Sequence, residues 1–209
     1  MLIELNYPEP VPVELEAEKT LLLVIDMENE NVHPDGALFI GEKVRNIIPN
    51  ITRLREKVRQ AGGQVVHTQS VRSPGALEFT VFKNTVRKLE GSWGAEIVDE
   101  LKPAADEPLI VKHTHDCFYR TEMDALLKRL GMRPGEGRVI VTGISTRNCV
   151  QSAVMGFSVR DYHVYVPMDC TAHNDEKQVL QAFSLFTSFG YKHSVTMTRS
   201  DLIQLRQRG

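Results

Sequence analysis

The chain has 209 residues, of which 42% are hydrophobic; that is enough to bury one sizeable core, and the length favours a single domain over the whole of 1–209. A formal charge of −2 gives no general attraction to nucleic acid or to an anionic membrane, so the expected partner is a small molecule. The apolar run at 21–25 is far too short to cross a bilayer, and the odd set Cys117, Cys149 and Cys170 suits a reducing compartment, so the sequence predicts a cytoplasmic protein without a disulfide framework or structural zinc.

The segment NYPEPVPVELE carries three prolines and reads as part of an extended arm at about 1–18. TLLLVIDM at 20–27 is the first strand. A helix is predicted over 42–61, with Val44, Ile47, Ile48, Ile51, Leu54 and Val58 recurring at three and four spacing until Gly62 and Gly63 stop it. QVVHTQ at 64–69 is the second strand. The stretch 70–102 is irregular, rich in Arg, Gly and Ser, and holds the only tryptophan, Trp93; loops of that length usually cover a site or touch another subunit. PLIVKH at 108–113 is the third strand, followed by a helix over 121–130. RVIVTG at 138–143 and HVYVPMD at 163–169 are strands flanking a helix over 146–160. A helix over 174–189 ends at Gly190, HSVTMT at 193–198 is a sixth strand, and Ser200 is placed to cap a last helix. Strands alternating with helices predict an α/β fold: three layers, α/β/α, around a mostly parallel six-stranded Rossmann-like sheet.

In open parallel sheets, ligands bind beyond the carboxyl ends of the strands, near the point where strand order reverses. Three chemically distinct residues fall at such ends: Asp26 after the first strand, Lys112 in the third and Cys149 after the fourth. Each has a plain structural reading, as a turn cap, a solvent-reaching amine and a small core hydrophobe. Together they form an acid, a cation and a nucleophile on one sheet edge. Asp26 can take the thiol proton and return it to a leaving nitrogen. Lys112 would hold the carboxylate, and with the first turn of the following helix would lower the thiol pKa. Cys149 would form a thioester that water then hydrolyses.

The segments VIDMENEN, VKHTHDCFYRTEMDALLKRLG and VTGISTRNCVQSA resemble the isochorismatase-like cysteine hydrolase superfamily, over about 19–200. That group includes nicotinamidases, N-carbamoylsarcosine amidases, and ureidoacrylate and biuret amidohydrolases. The most specific element is GxxTxxCV, here Gly143, Thr146, Cys149 and Val150; EGSWGAEIVDEL, Pro103, Phe118 and Thr121 match the wider pattern. The resemblance implies catalytic Asp26, Lys112 and Cys149, an oxyanion hole from the backbone N–H groups of Ser145 and Cys149, and a cis peptide between Ile144 and Ser145. It also implies a homo-oligomer, dimer or tetramer.

The sequence departs from that pattern in places. Nicotinamidases carry an Asp-x-His metal pair after the second strand, where Ser70 and Arg72 stand here, so no catalytic metal or other cofactor is expected and nicotinamide is disfavoured as substrate. His67, His113 and His115 are expected in hydrogen-bonding or surface roles, since their spacing is not a recognised ligand set. The nucleophilic cysteine points to C–N cleavage. Glu28 replaces a common Gln, and Arg147 either binds a carboxylate or pairs on the outside of its helix. Arg72 is a candidate anchor for a substrate oxygen. Phe118, Tyr119 and Trp93 are candidate pocket walls that could equally pack subunits together. The expected function is a cysteine-dependent amidohydrolase acting on a small amide, carbamoyl or ureido compound. The alternative is a non-catalytic Rossmann-like binding or scaffold subunit that keeps the three residues by descent. A dinucleotide-binding oxidoreductase is weak, because no GxGxxG follows the first strand.

Overall fold

The computed structural model describes residues 6–72 and 87–207, so the tip of the arm and much of the irregular stretch expected to cover the site lie outside the described residues. Nine strands are described: β1 Val13–Glu16, β2 Thr20–Ile25, β3 Gln64–Ser70, β4 Leu109–Lys112, β5 Arg138–Ile144, β6 His163–Pro167, β7 Thr171–Ala172, β8 Val195–Thr198 and β9 Ile203–Arg206. The helices are α1 Asn29–Val32, α2 Glu42–Arg45, α3 Ile48–Ala61, α4 Met123–Arg129, α5 Gln151–Ser158 and α6 Glu176–Phe186.

β2 is buried along its whole length, which suits only a central position. The main sheet runs β4-β3-β2-β5-β6-β8, all parallel, and short β7 pairs with the end of β5 as a seventh strand that the sequence did not signal. Side chains alternate across it. Leu21, Leu23 and Ile25 pack with residues of α4, α5 and α6 on one face, while Leu22 and Val24 pack with α3 on the other. Each such side chain contributes roughly 1.5–3 kcal/mol of burial, and two apolar faces are what make the fold three-layered. Among the described residues, no helix is long and apolar enough to cross a membrane.

Two expected helices come out differently. The one predicted over 42–61 is broken into α2 and α3, because Pro49, in the first turn of α3, lacks the N–H that a continuous helix would direct at the Arg45 carbonyl. Its far end is as expected, with Gly62 at φ 87° donating back to the Val58 and Arg59 carbonyls. The predicted last helix is only the single turn Ser200–Leu202, after which β9 pairs in parallel with β1 of the arm, Val13 facing Ile203 and Leu15 facing Leu205. Buried Ile203 alternates with exposed Gln204, the period of a strand, and the long-range partner decides the outcome.

The chain leaves β2 for β3 and β4 on one side, then returns to β5 on the other. The order therefore reverses between β2 and β5, and their carboxyl ends flank the crevice. At that point Gly143 has φ 103°, and a Cβ there would stand 2.1 Å from the Ile25 carbonyl oxygen. Only glycine lets the two strand ends approach so closely. The next residue after β2, Asp26, is itself at φ 52°.

A buried polar cluster fixes the β3–β4 edge to α3. His67 Nε2 lies 3.0 Å from Glu107, whose carboxylate also accepts Arg55 Nε at 3.0 Å, Arg59 Nη1 at 2.7 Å and the Ala104 N–H at 2.9 Å. Burial outweighs the Glu107 charge and pulls the His67 pKa down to about 4. For Glu107 burial acts upward, yet the bonds from Arg55, Ala104 and Arg59 hold it down at about 2. Neutral His67 and ionised Glu107 are thus the folded forms. Below about pH 6.5 the unfolded chain protonates His67 sooner than the folded chain does, and below about 4.5 the same holds for Glu107. Urea denaturation should accordingly show stability falling as pH drops from about 6.5 to 4, and further from about 4.5 to 2. In His67→Gln the first fall should shrink.

Candidate active site

Three strand ends converge. Lys112, the last residue of β4, is only 1% exposed, and its Nζ donates to Asp26 Oδ2 at 2.6 Å, to Cys149 Sγ at 3.3 Å and to the Thr114 carbonyl at 3.0 Å. Asp26 Oδ1 accepts the Thr68 hydroxyl of β3 at 2.6 Å, so both carboxylate oxygens are engaged. Cys149 sits in the turn Thr146–Val150, which is wound as a π-helix and leads into α5. The preceding Ile144–Ser145 peptide is cis.

These contacts set the charges. Burial pushes the Asp26 carboxyl up, but the ammonium charges of Lys112 and Lys88 outweigh it and hold it below its ordinary value. Burial pulls Lys112 down, and the Asp26 charge more than reverses this. The thiol differs from the expectation of a lowered pKa. Burial first, and then the adjacent Asp26 charge, push Cys149 up against the pull of Lys112. The resting site therefore holds a thiol beside a carboxylate, and the thiolate forms only as the proton moves.

A cavity of about 110 Å³ opens at the sulfur, lined by Asp26, Asn31, Ser70, Arg72, Lys88, His115, Ile144, Ser145, Asn148 and Cys149. A larger cavity of about 430 Å³, lined by Asn50, Arg53, Lys57 and Asp169 among others, contains none of the three convergent groups. Arg72 is among the residues that line the small cavity. Phe118 does not: its ring is buried edge-on to Phe157 at 4.8 Å with the Arg160 guanidinium 3.7 Å from its centre, since an aromatic ring gains most from full burial. Trp93 and Tyr119 are also outside the lining and half exposed, Trp93 against His33 and Tyr119 against Arg120. Arg147 donates to Gln151 Oε1 at 2.8 Å and is not part of the cavity lining.

The sequence reading named His115 and Glu28 but gave neither a place in the site. His115 Nδ1 is 3.3 Å from Cys149 Sγ, whereas His113 bonds the Val71 carbonyl. Glu28 is buried, receives the Ser70 N–H and pairs with Lys88 Nζ at 3.3 Å; burial raises its carboxyl, with the Lys88 charge offsetting part of the effect. The only signals for these were the position of His115 three residues after Lys112 and that of Glu28 two after Asp26. Among the described residues, no cluster of three His, Cys, Asp or Glu side chains could hold a metal ion.

A parallel sheet whose switch point brings a cysteine, an aspartate and a lysine together over a cavity defines a cysteine hydrolase of the open α/β type. The isochorismatase domain pattern matches residues 20–197, and the chain belongs to that family. It is 28% identical to the ureidoacrylate amidohydrolase RutB of Caulobacter segnis, covering 96% of this chain and 92% of that one. Among solved structures, an isochorismatase-like hydrolase from Alkaliphilus metalliredigens superposes with a TM-score of 0.76 at 27% identity, over 88% of this chain and 96% of that one. N-carbamoylsarcosine amidase from Thermoplasma acidophilum superposes with a TM-score of 0.74 at 26% identity, over 88% and 97%.

Because the Asp26 charge raises the thiol while Lys112 lowers it, Asp26→Asn should free the sulfur to ionise. Iodoacetamide should alkylate Cys149 in that variant roughly tenfold faster at neutral pH than in the wild type. Hydrolysis of any amide substrate should meanwhile fall by about 100-fold or more, the loss expected on removing a general base. Peptide mass mapping of the alkylated residue measures the first effect and ammonia release the second.

Proposed function

We propose that the chain hydrolyses the C–N bond of a small amide, carbamoyl or ureido compound through a thioester on Cys149, releasing ammonia. The observation that carries this reading is the single Lys112 ammonium bonded to both Asp26 and Cys149 beneath a cavity. Asp26 takes the proton from Sγ as the sulfur attacks the carbonyl carbon, while Lys112 remains charged and stabilises the thiolate. The negative charge that develops on the carbonyl oxygen is received by the backbone N–H groups of Ser145 and Cys149, both of which line the cavity. The C–N bond then breaks, its electron pair leaving on nitrogen, which receives the proton held by Asp26 and departs as ammonia. Water hydrolyses the thioester.

Arg72, in the cavity wall, is placed to bind a carboxylate or carbonyl oxygen of the substrate. The activities of the relatives make ureidoacrylate and N-carbamoylsarcosine the first compounds to try. The reaction as written uses only protein groups and water. The same reading takes the protein as one cytoplasmic domain that assembles as a dimer or tetramer. Its three cysteines are unpaired, and the exposed rings of Trp93 and Tyr119 are surface that a second copy would cover. Nothing in the site favours the non-catalytic binding subunit, which has no use for a buried acid, cation and thiol in mutual contact.

Ammonia release measured over ureidoacrylate, N-carbamoyl amino acids, maleamate, biuret and nicotinamide is the direct test. At least one ureido or carbamoyl compound should be turned over. Cys149→Ala should abolish that turnover with the circular dichroism spectrum and melting temperature preserved; turnover that survives the substitution would overturn the proposal.

A further inference from the structure

Two buried ion pairs meet the cavity, and they present it with opposite charges. In the first, Asp26 is among the described lining residues and its partner Lys112 is not. In the second the order is inverted: Lys88 lines the cavity, while Glu28, whose carboxylate is 3.3 Å from Lys88 Nζ, is fully buried and outside that lining. A ligand in the cavity therefore meets an acid from one pair and a cation from the other. The first pair has a use in the reaction as written; the second has none there.

Lys88 is a fixed wall residue, not a solvated loop lysine. It is only 6% exposed, and its φ of 54° lies in the left-handed region that a residue other than glycine adopts where its surroundings impose it. Its carbonyl accepts the Arg72 N–H at 2.9 Å, and Arg72 forms a parallel bridge with Leu89, the next residue along. The cations Arg72 and Lys88 thus reach one cavity from backbones bonded to each other beside the end of β3. Glu28 is fixed in turn by the Ser70 N–H. Burying a carboxylate is costly unless it is paired, and here the pairing holds an ammonium at a cavity wall. An ammonium has three N–H donors, and Glu28 takes one.

We infer that Lys88 is a specificity-determining residue that, together with Arg72, receives a carboxylate of the substrate, so that the chain acts on an anionic ureido or amide acid in preference to a neutral amide. The inference rests on the hydrolase reading above and narrows its substrate class. Lys88 supplies a point charge and Arg72 a planar fork that matches two carboxylate oxygens. In so small a cavity the acid is largely removed from bulk water, where charge-assisted bonds gain strength. A neutral amide brings nothing to match the ammonium and the guanidinium, and that mismatch is the discrimination. Glu28 is a positioning residue: it holds Lys88 in place and touches no substrate.

Ureidoacrylate and N-carbamoylsarcosine, each compared with its methyl ester, isolate the effect, since acid and ester differ by one charge. With ammonia release as the readout, the wild type should prefer the acid by about 100-fold in kcat/KM, mostly through KM. In Lys88→Met that preference should fall to about tenfold or less, and Lys88→Arg should restore most of it. Lys88→Met leaves Glu28 buried without its partner, so Glu28→Gln/Lys88→Met removes the pair whole; it should show the same fall with the melting temperature preserved. Calorimetry on Cys149→Ala makes the comparison without turnover: at least one of the acids should bind, and its ester about 100-fold more weakly. Equal handling of acid and ester, or binding of neither acid, would overturn the inference. So would Lys88 substitutions that weaken acid and ester alike, because the pair would then be structural only. If the wild type releases ammonia from no compound, the hydrolase reading fails, and the calorimetry still decides for or against the carboxylate site.

Discussion

The site depends on a buried ion pair, Lys112 with Asp26, joined at 2.6 Å with almost no solvent contact. Isolated burial of either charge costs several kcal/mol, and removing one partner from such a pair typically costs about 3–5 kcal/mol, so neither residue is tolerable without the other. The pair spans three strands, since Lys112 ends β4, Asp26 follows β2, and Thr68 of the intervening β3 donates to the same carboxylate. It therefore sets where the sulfur finds a cation and where its proton can go. The energetic interest of the arrangement is its imbalance. One ammonium donates both to the carboxylate and to the sulfur.

The frame around the pair follows from strand packing. β2 is apolar on both faces and so occupies the centre, which places its end at the reversal of strand order. Gly143 allows β5 to run against the Ile25 carbonyl, bringing the turn with Ser145 and Cys149 within reach of Asp26. A side chain at that position would separate Cys149 from Asp26 without either residue having changed.

Much of this was legible in the sequence because it is carried by local pattern. The strand runs, the glycine stop at Gly62 and the polar residue closing each apolar run are all short-range features, and they were enough to bring Asp26, Lys112 and Cys149 together. Whatever depends on direction or on distant partners was not legible. Nothing local distinguishes Phe118 turned into the core against Phe157 from Phe118 turned toward a ligand, nor His115 on the sulfur from His113 on a backbone carbonyl. The Glu28–Lys88 pair joins residues 60 apart. The thiol pKa was misjudged for the same reason: a helix start can be seen in the sequence, but the depth of burial and the placement of Asp26 against the sulfur cannot.

The parallel pairing of β1 with β9 has a kinetic consequence. It joins Val13 to Ile203, so nearly the whole chain must be looped before the pair can close. Loop-closure entropy grows with the intervening length, and contacts of high sequence separation form slowly unless the rest of the fold has already brought them near. The ribbon should therefore close late in folding, after the main sheet has fixed the positions of both ends. By the same reasoning it belongs to the part of the molecule that opens most readily, so its amides should exchange with solvent sooner than those of β2. The crevice between β2 and β5, anchored in the central strands, would then ride through those openings undisturbed.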